Sequence, residues 1–125
     1  MELQLERPGD YPYVRHVDDH AITVVDRELR RLDASFILTP ERVIEHWPVT
    51  DVRQMQAPDT DALLAAEPEV ILLGTGHAQA FPPAAVMGAI LRQGVGIEPM
   101  DNAAAARTHT VLAGEGRKVV AAFIL

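Results

Sequence analysis

The chain has no cysteine, one serine and one lysine among its 125 residues. Without cysteine there is no disulfide framework, no thiolate nucleophile and no cysteine-held zinc or iron–sulfur site. Ser35, the single serine, lies in an apolar run and lacks the Gly-x-Ser-x-Gly elbow that exposes a hydrolase nucleophile. Lys118, the single lysine, opens the last apolar stretch. No apolar run approaches the ~18 residues of a membrane span, so membrane insertion is not expected. No basic stripe offsets the formal net charge of −7, which opposes a phosphate backbone and argues against nucleic acid. Met1-Glu2-Leu3-Gln4-Leu5-Glu6-Arg7-Pro8 has neither a basic n-region nor an apolar h-region, so no signal or transit peptide is expected. These absences point to a cytoplasmic chain.

What is present suits one compact domain spanning 1–125, with 48% hydrophobic residues to build a core. The first half reads as short strands: Tyr13 to Val17, a turn at Asp18-Asp19-His20, Ala21 to Val25, Ser35 to Thr39 and Arg42 to Trp47. Direct strand–turn–strand succession favours antiparallel pairing, because parallel neighbours need a long crossover. Asp26 to Asp33 is charged and fits no single element.

The second half alternates helices and strands. Helices are predicted near 59–67, 83–94 and 102–113. The first is capped by Asp59 or Thr60 and stopped by Pro68. Pro82 and Pro83 open the second, where Val86, Met87, Ile90 and Leu91 mark the predicted buried face and Gly94 the C-cap. Asp101 caps the third, with Ala104, Thr108, Val111 and Leu112 as its predicted apolar face. Strands are predicted at Glu69 to Leu73, Val95 to Pro99 and Lys118 to Leu125. The continuous apolar character of the first implies cover on both faces. It runs straight into Gly74-Thr75-Gly76, a loop at the carboxyl end of a strand, where open α/β sheets form their crevices.

From Pro68 onward the motifs come in a distinctive order. They are Pro68-Glu69-Val70, Gly74-Thr75-Gly76, Gly96-Ile97-Glu98-Pro99-Met100-Asp101, Ala104-Ala105-Ala106-Arg107-Thr108 and Glu115-Gly116-Arg117. On these the chain resembles the complex I assembly factor 3 and adipogenesis-associated, Mth938-domain-like family, whose bacterial relatives are domains of unknown function. The resemblance implies an α/β fold in three layers, a mixed central β-sheet with helices on one side and additional strands on the other. For function the resemblance implies little: the mitochondrial members are assembly factors that work through protein partners, while the bacterial members have no established activity. Two departures limit what carries over. Relatives commonly have Thr-Tyr-Asn where this chain has Thr108-His109-Thr110, and many have a small residue or cysteine where Ala106 stands.

Gly74, Thr75, Gly76, His77, Asp101 and Arg107 form the candidate ligand-binding crevice. The glycine pair is no nucleotide fingerprint: the third small residue of the dinucleotide pattern is missing, and no Gly-Lys-Ser/Thr follows. One reading is conformational, with glycine supplying positive φ or close approach. The other has Gly74, Thr75 and Gly76, with amides near Ala84, holding a carboxylate or phosphate, and Arg107 reaching in as an anion fork. Asp101 is most simply a helix cap, and Arg107 a salt-bridge partner or a residue lying along an apolar wall. His109 stands in the same stretch as Asp101 and Arg107.

His16, His20, His46, His77 and His109 carry no His-Glu-x-x-His signature, so neither a metal site nor a cofactor is expected. No catalytic residue stands out. Thr75 is the one well-placed hydroxyl, with His77 as a conceivable base, and no carboxylate pair is evident. The inventory leans away from an enzyme and toward an interaction module with an unknown protein partner. A small-molecule or anion binder, or a weak enzyme using the same crevice, is the alternative.

Overall fold

The computed structural model describes residues 11–125; the reading of Met1 to Pro8 as no leader lies outside them. The chain is α/β in three layers, built on a mixed five-stranded sheet. Strands β1 (Tyr13–Val17), β2 (Ile22–Asp26) and β3 (Glu28–Leu32) form an antiparallel three-stranded sheet of their own. The ambiguous stretch from Asp26 is therefore a hairpin, whose tight turn places Arg27 at φ 70°. Charge hid it because β3 exposes most of its residues and buries only Leu32.

Strands β4 (Phe36–Leu38), β5 (Val43–Ile44), β6 (Val70–Gly74), β7 (Gly96–Met100) and β8 (Val119–Phe123) form the main sheet in the order β5-β4-β8-β6-β7. β6 runs parallel to both β7 and β8, while β4 is antiparallel to β8 and β5. β6 and β8 are buried at every residue, as their apolar runs require of strands covered on both faces. The strand expected through Trp47 stops at Ile44. His46 turns the chain at φ 62°, and Trp47 then leaves the sheet for the core, its Nε1 donating to Asp59 O at 3.2 Å.

Helix α1 (Asp61–Leu64) is shorter than predicted, because a 3-10 turn over Ala57–Thr60 takes up the capping region. Glu67 before Pro68 sits at φ 54°, outside helical geometry. Helix α2 (Ala84–Leu91) buries Val86 and Ile90, but Leu91 is 55% exposed rather than on the buried face. Helix α3 (Asn102–Gly114) buries Asn102, Ala105, Ala106 and His109. The predicted face is thus displaced, and Val111 is 57% exposed. In a helix rich in alanine the apolar period does not select a face. The alanines pack because they let the helix axis approach the sheet.

Leu63, Val86 and Ile90 join Trp47, Ile71, Leu73, Val120 and Ala122 in one core. On the other side of the sheet Ile22, Val24 and Leu32 pack with Leu72, Ala121, Phe123, Ala105 and Ala106. Phe36 and Phe123 stack there with ring centroids 5.1 Å apart. α1 and α2 therefore cover one face and the three-stranded sheet the other, with α3 joining the strand side. The connection from β6 to β7 moves one way along the sheet; that from β7 to β8 crosses back over β6. Crossovers of one hand running in opposite directions must lie on opposite faces, which separates α3 from α2.

Candidate functional site

Reversal of direction at β6 leaves a crevice beyond the carboxyl ends of β6 and β7, the topological switch point of such sheets. It measures about 520 Å³ and lies between the β1–β2 turn, the loop after β6 and the start of α3. Thr75, Gly76, His77 and Asp101 line it. Gly74 lies behind them as the buried last residue of β6. Arg107 is exposed on α3, is absent from the crevice wall and makes no ion pair among the described residues. His109 points elsewhere, buried beneath Tyr11.

The loop is held together by its own polar groups. The Thr75 amide donates to Met100 O at 2.8 Å. Its hydroxyl oxygen lies 2.7 Å from Ala78 O and 3.2 Å from Met100 O, and accepts from the Ala80 amide at 3.1 Å. A hydroxyl has one proton, so donation to either carbonyl leaves none to activate. Gly76 sits at φ 104°, a conformation that favours glycine.

Asn102 is the residue that sequence reasoning passed over. It is 6% exposed and joins three strand ends. Its backbone amide donates to Gly76 O at 2.8 Å, and its side-chain Oδ1 accepts from the Gly76 amide at 3.2 Å. Its Nδ2 donates to Ile124 O, beyond β8, at 3.0 Å. Gly74 lacks a Cβ for a local reason: one built there would collide with Asn102 Oδ1 and come within 3.1 Å of the Phe123 ring. The available signal was an asparagine directly after a capping aspartate, where a helix ordinarily exposes its side chain.

Asp101 Oδ1 caps α3 by accepting from the Ala104 amide at 2.8 Å. On the opposite wall Asp18 accepts from the amides of His20 and Ala21, both at 2.8 Å. Those two backbone donors, helped by Arg31, hold its carboxyl below the usual aspartate value. With Asp19 and Asp101 also present, the crevice carries three carboxylates against two exposed histidines, His20 and His77. An anion entering it meets like charge, and the amides of Thr75 and Gly76 are already engaged. Among the described residues no group of three or more histidine or carboxylate side chains is arranged to hold a metal ion.

Residues 14–124 match the family model described as a protein of unknown function (DUF498/DUF598). The chain belongs to this family. A solved structure from Xanthomonas campestris is 47% identical, covering 99% of this chain and 92% of the other, with a TM-score of 0.82. A Bordetella pertussis protein described as a Mth938-like domain is 28% identical over 99% of this chain and 92% of its own, at a TM-score of 0.75. The Mth938-like resemblance read from the motifs is thereby established. A Francisella tularensis protein named 13 kDa major membrane protein is 32% identical over 66% of this chain and 68% of its own length. In this DUF498/DUF598 member, no helix among the described residues is long and apolar enough to cross a membrane.

Proposed function

We propose that this chain is a non-enzymatic interaction module, assembly-factor-like, whose protein partner docks at the rim of the crevice around His77, Asp101 and Ala103. The observation that carries the reading is the state of Thr75. Its hydroxyl closes its own loop, leaving a stiff scaffold that presents exposed side chains instead of an activated nucleophile. Ser35 is likewise engaged, its Oγ accepting from the Leu125 amide at 2.9 Å. The working location in this proposal is the cytoplasm. The Francisella relative's name makes a membrane the competing location, and fractionation of native cells separates the two.

The test compares the native chain with His77→Glu and Ala103→Arg, both at exposed positions. After cross-linking in native cells, the native chain is expected to recover one protein stoichiometrically, and both variants to lose it while keeping their thermal stability. Repeated recovery of no stoichiometric protein overturns the proposal.

The volume of the crevice favours a second reading, a small-molecule binder, since about 520 Å³ falls within the ~300–1,000 Å³ usual for such sites. The three carboxylates favour a cationic ligand over the anion expected from the glycine loop. Titration with phosphate, acetate and a primary amine, followed by the amide shifts of Thr75 to His77, discriminates them. Saturable shifts with phosphate or acetate alone overturn the cationic preference.

A further inference from the structure

A second pocket opens at the far end of α3, among residues that the crevice does not use. It measures about 280 Å³ and is walled by Tyr11, Pro40, His109, Ala113, Arg117 and Val119. His109 is only 2% exposed, and among the described residues its Nδ1 has no hydrogen-bond partner. The Tyr11 ring meets the imidazole edge-on, with centroids 6.4 Å apart and planes at 75°. Native folds rarely leave a buried ring nitrogen unpartnered, and such a group next to a void calls for something that fills the void.

The surroundings define that something. Burial pushes the His109 pKa down to about 4, so the ring is neutral at physiological pH, with one nitrogen donating and the other accepting. A hydroxyl serves either nitrogen, because it both donates and accepts. Pro40, Ala113 and Val119 supply apolar walls, and the Tyr11 ring offers a face or edge to an aromatic body. Arg117 is the cation of the pocket, but its Nε donates to Glu69 Oε1 at 3.1 Å, so a carboxylate already balances it. The volume lies just below the ~300 Å³ at which small-molecule sites begin, which limits the guest to a single ring or short chain. We propose that the pocket between Tyr11, Pro40, His109 and Ala113 binds a small uncharged molecule of phenol size, its apolar body on the walls and its hydroxyl on the His109 ring.

The experiment uses the 15N-labelled full chain with phenol as probe and benzoate as the charged counterpart of similar size. Phenol is expected to shift the His109 ring nitrogens and the amides of Ala113 and Gly116 saturably, in the millimolar range. Benzoate should bind at least about tenfold more weakly, since desolvating its charge has no free cation to offset it. His109→Phe keeps an aromatic ring and is expected to weaken phenol by about tenfold, the range of one hydrogen bond. Ala113→Leu, one turn on from His109 on the same helix face, fills the cavity while leaving the imidazole in place and is expected to abolish binding; it also serves if His109→Phe fails to fold. The proposal is overturned by the absence of saturable shifts, by equal affinity for benzoate, by undiminished binding in His109→Phe, or by binding that survives Ala113→Leu. Shifts that grow linearly with phenol mark a solvent-filled pocket only, and also overturn it.

Discussion

At the scale of single residues, two buried polar side chains illustrate opposite solutions to one problem. Asn102 is 6% exposed and its side chain is bonded at both ends, to the Gly76 amide and to Ile124 O. Truncation to alanine removes both bonds and leaves buried backbone groups unpaired. Asn102→Ala is expected to lose about 2–3 kcal/mol in urea denaturation, with backbone shifts concentrated at Gly74 to Gly76. His109 is buried with no partner at Nδ1 among the described residues, and desolvation lowers its pKa from 6.5 to about 4. Its protonated form is favoured in the unfolded chain, so the unfolded state binds more protons between those two values. Stability is therefore fully present above pH 6.5 and falls as the pH drops toward 4, by at most about 3 kcal/mol. Urea midpoints between pH 4 and 8 should show this slope, and His109→Phe should remove it. Asp18 and Glu69 contribute in a lower window: their carboxyls lie below 3.8 and 4.5 respectively, so their stabilisation is lost only in stronger acid.

At the scale of elements, helix existence was legible and helix orientation was less so. Prolines and caps announced α2 and α3: Pro83 precedes α2, and Asp101 caps α3 through the Ala104 amide. The buried face of α2 was only half legible, since Val86 and Ile90 are buried while Leu91 is 55% exposed. In a helix that is apolar all round, periodicity has no contrast from which to choose a side. The two neighbours should behave differently. Ile90→Ala leaves a cavity under the sheet and is expected to lose about 2–5 kcal/mol. Leu91→Ala removes an exposed side chain and should stay within about 0.5 kcal/mol in the same thermal or urea melts. The β2–β3 hairpin was hidden for the converse reason, because a strand with one exposed face can carry many charges.

At the scale of the whole molecule, the last strand in sequence lies at the centre of the main sheet. β8 pairs with β4 through Phe36↔Phe123 and with β6 through Val70↔Val119. Both faces of the sheet lose their middle without it. A chain ending at residue 117 is expected to show no cooperative urea transition, and the fluorescence of Trp47, 5% exposed in the intact fold, should report a hydrated indole. A sigmoidal transition in the truncated chain would refute the central role of β8. Surface ion pairs matter less at this scale. Arg30–Glu45 at 2.7 Å and Arg117–Glu69 at 3.1 Å are both solvent-accessible, where water and salt screen most of their attraction.

By itself the sequence determined the α/β class, most of the strands, the three helices and the loop that closes the crevice. Each is written locally: apolar runs, prolines at helix starts, an aspartate cap, and glycines where the backbone turns. It also carried the family, through motifs whose order does not depend on folding. Only the tertiary structure decided which side chains meet. The reversal of direction at β6 sent α3 to the strand face and drew Asn102 under Gly74. It left Arg107 away from the crevice and buried His109 beside a separate pocket. These are contacts between positions far apart in the chain. Their partners are chosen by sheet order and crossover hand, which no local pattern encodes.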